Sequence, residues 1–157
     1  MEINQNLLAP CGLYCGVCGV YYATRDKNIK FIERLLGVYQ AKIPGIENIS
    51  IDDLECKGCL SDKTSLLCRT CLIKDCTQKK GYAGCHECDE FPCERIEKFP
   101  MPIGKKVALR AIPYRRKLGT EKWVADEEAR YVCPECDNKI FRGATRCNKC
   151  KIPLDLD

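Results

Sequence analysis

The sequence predicts a small α+β protein stabilised by metal: a cysteine-rich zinc-knuckle body with few helices and little sheet, followed by a C-terminal zinc ribbon. Three observations predict it. Fifteen of the 157 residues are cysteine, and nearly all stand in pairs two residues apart, the spacing that presents two thiolates to one tetrahedral ion. The 45% of residues counted as hydrophobic include those cysteines, so the aliphatic core is thin and bound metal must supply folding free energy, about 10 kcal/mol or more per structural site. Third, Cys133-Pro-Glu-Cys136 and Cys147-Asn-Lys-Cys150 flank ten residues with a β-prone run at Ile140 and Phe141, a zinc-ribbon pattern.

Three segments follow: a cysteine-rich domain over 1–102, a helical connector over 103–132 and the ribbon over 133–157. The first unit, residues 9–18, is a glycine-rich loop carrying Cys11, Cys15 and Cys18, where tight turns aim backbone amides at thiolate sulfur. Asp26 caps an expected helix to about Gln40, because Ile29, Ile32, Leu36 and Tyr39 recur on one face; Pro44 and Gly45 end it. Ser50 and Asp53 form a capping box before Cys56 and Cys59. Cys68-x2-Cys71-x4-Cys76 then recurs, 17 residues on, as Cys85-x2-Cys88-x4-Cys93, which predicts two similar knuckles. Pro92 opens a short helix to Phe99. The connector lacks cysteine, is interrupted at Pro113 and Gly119, and restarts as a helix capped by Thr120.

Disulfides fit poorly. The N-terminus shows neither a cationic leader nor a long apolar stretch, which predicts a reducing cytoplasm. No apolar run approaches the roughly 20 residues of a membrane helix. The net charge of +4 is uneven: Lys105, Lys106, Arg110, Arg115, Arg116 and Lys117 form a run without an acidic residue, able to face nucleic-acid phosphates or to serve as a solvated helix face.

Removing the ribbon's four cysteines leaves eleven, and the one histidine, His86, sits between Cys85 and Cys88. These twelve groups would fill three further tetrahedral sites, so three to four zinc ions are expected in all. Spacing leaves the grouping open: Cys15 and Cys18 with Cys56 and Cys59, and Cys68 and Cys71 with Cys85 and Cys88, or Cys56, Cys59, Cys68 and Cys71 together. An iron-sulfur cluster within residues 11–93 is the alternative. Cys11-x3-Cys15-x2-Cys18 has the spacing of radical S-adenosylmethionine enzymes, yet the chain is too short for their barrel and position 17 is Val. One histidine builds no hydrolytic triad, and closed thiolate sites are structural, so a non-enzymatic role is expected.

Residues 9–18, 56–59, 71–76 and 85–96 resemble a family of uncharacterised, cysteine-rich prokaryotic proteins, a domain of unknown function, whose longer members also resemble this chain at residues 119–123 and in the ribbon. The resemblance implies a cytoplasmic metal-binding protein and no reaction. The expected function is a zinc-binding scaffold for a protein partner or, through residues 105–117 and the ribbon, nucleic acid; the alternative is an iron-sulfur or thiol-redox protein.

Overall fold

A computed structural model describes residues 2–157. Short helices alternate with cysteine loops: α1 (Gly19–Arg25), α2 (Ile29–Lys42), α3 (Ile51–Leu54), α4 (Leu66–Arg69), α5 (Leu72–Lys79), α6 (Glu94–Glu97), α7 (Pro102–Leu118) and α8 (Thr120–Arg130). Helices occupy half of the chain and, among the described residues, no sheet forms. This overturns the α+β class. The β-prone runs of the ribbon are interrupted every few residues by knuckles, so extended backbone meets only in single bridges, Val132 with Lys139 and Arg146 with Pro153. The core comes instead from helical faces.

α2 begins two residues later than expected: Asn28, not Asp26, caps it by accepting the Phe31 N–H at 3.1 Å. Ile32 and Leu35 are its buried residues, while Ile29 is 51% exposed. It ends at Ile43, which precedes Pro44 and is therefore pushed to extended backbone. The capping box of α3 forms, with the Ser50 N–H donating to Asp53 Oδ2 at 2.9 Å and the Asp53 N–H to Ser50 Oγ at 3.4 Å. α1 carries no sequence signal beyond Val20 and Ala23, which pack with α2 and Leu54 in a small cluster.

The main core is built on the α7–α8 hairpin. Val107, Ala108, Ala111 and Ile112 form one face of α7, and Trp123 and Val124 one face of α8; all are buried. Against them pack Leu7, Leu8, Tyr14 and Val17 from the N-terminus, Ile96 of α6, and Tyr131 and Ile140 of the ribbon. Pro113 does not interrupt α7. It removes one N–H from the ladder, but it lies on the exposed side, where water can reach the carbonyl left unpaired. Gly119 turns the chain at φ 85° and caps both helices, so Thr120 is the first residue of α8 and its Oγ accepts from Arg115 Nε at 3.0 Å.

Candidate metal centre

In the ribbon, two turns of the same geometry face each other. The Cys133 N–H donates to Asn138 O and the Asp137 N–H to Cys133 O. Fourteen residues on, the Cys147 N–H donates to Ile152 O and the Lys151 N–H to Cys147 O. Asp137 and Lys151 close these turns at positive φ, 56° and 67°. Four sulfurs converge: Cys133 to Cys150 is 3.5 Å, Cys136 to Cys147 is 3.7 Å, and all four lie within 4.8 Å of one another. A tetrahedron with metal–sulfur bonds of about 2.3 Å has sulfur–sulfur edges of about 3.8 Å, so this arrangement can hold one metal ion. Burial raises the Cys147 thiol, but the Cys150 and Lys149 amides and the Cys150 and Cys133 thiols outweigh it and hold the group at about 6, ready to ligate.

The ribbon is fastened to the body. The Arg142 N–H donates to Val17 O at 2.8 Å and its guanidinium to Tyr14 O at 3.0 Å. Phe141 packs on Phe31 with ring centroids 5.1 Å apart. At the far end Tyr131 bonds Asp157, which also accepts the Gly143 N–H.

Ten of the other eleven cysteines fall into two neighbourhoods, and all fifteen are free thiols. In the first, Cys68 is hydrogen-bonded to Cys59, which lowers Cys68 to about 6 and raises Cys59. Cys11, Cys15 and Cys56 feel the charge of Cys68, and Cys15 and Cys56 that of Cys18. Amides face these sulfurs: Leu13 to Cys11, Cys59 to Cys15, and Gly58 and Ser65 to Cys56. Burial nevertheless pushes Cys11 up to about 12, so a metal entering here displaces protons. The Arg142 guanidinium acts on Cys11, Cys15 and Cys68 and partly offsets that burial.

In the second neighbourhood Cys76 of α5, Cys85 and Cys88 of the turn before α6, and Cys93 at the start of α6 line one cleft, with Ile73, Phe91 and Lys80. Burial, then the nearby Cys93, Cys88 and Cys76, raises Cys85 to about 12. Cys71 lies between the neighbourhoods, within the influence of both Cys11 and Cys85. His86 does not line the cleft. Its buried Nδ1 has no partner, and burial, then Arg115, lowers its pKa. Among the described residues, only in the ribbon do three or more candidate ligand atoms lie within 4.8 Å of one another.

A family model described as a protein of unknown function, DUF3795, matches residues 7–98, more than half of the chain. The chain belongs to the DUF3795 family. The DUF3795 match thus spans both body neighbourhoods and stops short of the ribbon. No curated protein and no solved structure matches the chain. No helix among the described residues is long and apolar enough to cross a membrane.

The basic run has partners that sequence could not supply, because they lie far along the chain. Lys105 pairs with Glu97 at 2.6 Å, and Arg110 with the buried Glu127. Arg115 is buried beneath Trp123, 4.6 Å from its ring centroid. Arg116 donates to His86 O at 2.9 Å and to Cys88 O at 2.8 Å.

Proposed function

We propose that the ribbon cysteines bind zinc and that the protein is a metal-built binding module for a protein partner in a reducing cytoplasm. The observation that carries this reading is the closure of four sulfurs to the size of one zinc tetrahedron. Zinc bound by four thiolates has no open position for a substrate or an activated water, so the ion's work is to order the chain around it. Free thiols throughout suit a reducing compartment. A protein partner is favoured over nucleic acid because Lys105, Arg110, Arg115 and Arg116 are engaged within the fold, which leaves Lys106 and Lys117 of that run for phosphates. Leu72, 70% exposed at the start of α5, offers an apolar contact instead.

The test combines metal analysis with binding. X-ray absorption at the zinc edge should report four sulfur ligands at about 2.3 Å for the ribbon ion, and the Cys136→Ser variant should lose it. Titration with duplex DNA and single-stranded RNA at low salt should give no binding beyond that of a polyacidic control. Zinc bound through nitrogen or oxygen refutes the ribbon assignment, and salt-dependent binding specific to nucleic acid refutes the protein-partner role.

A further inference from the structure

The molecule carries two kinds of cysteine cluster. The ribbon sulfurs are packed to the edge length of a tetrahedron around a single ion. Cys76, Cys85, Cys88 and Cys93 surround a cleft instead, and in any three of them at least one pair of sulfurs is more than 4.8 Å apart. One zinc ion cannot bond four sulfurs so far apart at about 2.3 Å. A cubane of iron and sulfide is several ångströms across and carries one cysteine at each iron, so its four thiolates stand correspondingly further apart.

We infer that Cys76, Cys85, Cys88 and Cys93 ligate a [4Fe–4S] cluster in this cleft. The surroundings suit such an occupant. Ile73 and Phe91 give the cleft apolar walls, which shield a cluster from water. A [4Fe–4S]2+ core bound by four thiolates carries a net charge of minus two, and Lys80 Nζ, paired with the Glu90 carboxylate at 2.6 Å, also reaches to 3.8 Å from Cys88 Sγ. Arg95 lines the same cleft. The turn that carries two of the ligands is held from outside by Arg116, whose guanidinium binds the carbonyls of His86 and Cys88. This fixes the direction of Cys85 and Cys88 without occupying the cleft. The inference is independent of zinc in the ribbon, since the two sites share no ligand.

The test uses the full chain, purified without oxygen and reconstituted with ferrous iron, sulfide and a thiol reductant. About four iron and four sulfide per chain should bind, with a broad visible charge-transfer band that bleaches on reduction. Cys76→Ala and Cys93→Ala should each lose at least nine-tenths of that iron while the ribbon zinc, followed at the zinc edge, stays. Lys80→Met keeps every ligand, so it should keep the iron and shift the reduction potential to a more negative value. Zinc in place of iron after anaerobic reconstitution overturns the inference, as does iron that persists in both alanine variants or an unchanged potential in Lys80→Met. A Cys136→Ser chain that loses its zinc but keeps its iron separates this result from the fate of the ribbon reading.

Discussion

Replacing Trp123 by alanine tests the role of the α7–α8 hairpin as the core of the molecule. Trp123 is fully enclosed, and truncating a buried aromatic to alanine costs about 3–5 kcal/mol. Two further contacts push toward the upper end. Tyr14 meets the indole edge-on, with ring centroids 5.9 Å apart at 72°, a pairing worth about 0.5–1.5 kcal/mol beyond area. Arg115, itself 4% exposed, rests on the indole face with Nη1 unpaired, so the variant leaves a buried cation without its principal contact. These contributions overlap, and the expected loss is about 5 kcal/mol, a large part of the 5–15 kcal/mol typical of a domain. Trp123→Phe is the matched control. It keeps an aromatic face for Arg115 and gives up only an indole N–H that bonds nothing, so it should cost about 1–2 kcal/mol. The assay is urea unfolding followed by far-UV circular dichroism at one fixed free-zinc concentration, because bound metal adds its own stabilisation. A loss below about 2 kcal/mol for alanine, or equal losses for alanine and phenylalanine, would refute the reasoning.

Cys136→Ser should remove one equivalent of zinc and increase amide exchange within residues 133–150, while α7 and α8 keep their protection; full zinc retention contradicts the ribbon assignment. Gly58→Ala should destabilise by about 2–4 kcal/mol in the same urea assay, because Gly58 has φ 123° and a Cβ there would stand 2.4 Å from the Asn6 carbonyl oxygen; a neutral result would mean that the Asn6 backbone gives way freely. In metal-free protein, Cys147 is held at about 6 against 9.0 for a free thiol. Its folded value is depressed, so its contribution to stability is present above pH 9 and is lost as pH falls through about 6. Zinc release, followed with a colorimetric chelator, should rise as the pH is lowered, since protons compete for the same sulfurs. Release independent of pH would show that ionisation of this thiol is not linked to the site.

The four-cysteine cluster of residues 133–150 was legible in the sequence because both halves of it are local, each pair closing its own turn. The helix at residues 29–42 was legible from its apolar period, although Leu35 is buried beside the half-buried Leu36 and Tyr39, and Ile29 is exposed. α1 was not, since seven residues behind a cysteine loop carry too few apolar positions to show a period. Residues 103–132 were read as a helical connector packed on the cysteine-rich body, with breaks at Pro113 and Gly119, whereas α7 runs through Pro113 and ends at Leu118. The structure places Pro113 on the wet side of α7 and gives the cations partners such as Glu97 and Glu127, 8 and 17 residues away in sequence. The division of the body cysteines depends on how α5 and α6 approach each other, which no spacing encodes.

The continuity of the core past residue 98 has a practical consequence for fragments. Cutting the chain where the family model ends would leave Leu7, Leu8, Tyr14 and Ile96 without the faces of α7 and α8 that cover them. Such a piece would hold every cysteine of both body neighbourhoods and yet present an uncovered apolar surface. It should precipitate or self-associate when expressed alone, and should become soluble when residues 99–157 are supplied as a second polypeptide. The smallest self-sufficient unit of this protein would then be the whole chain, with the ribbon's Arg142 and the indole of Trp123 acting as the closing half of a fold whose opening half carries most of the sulfur.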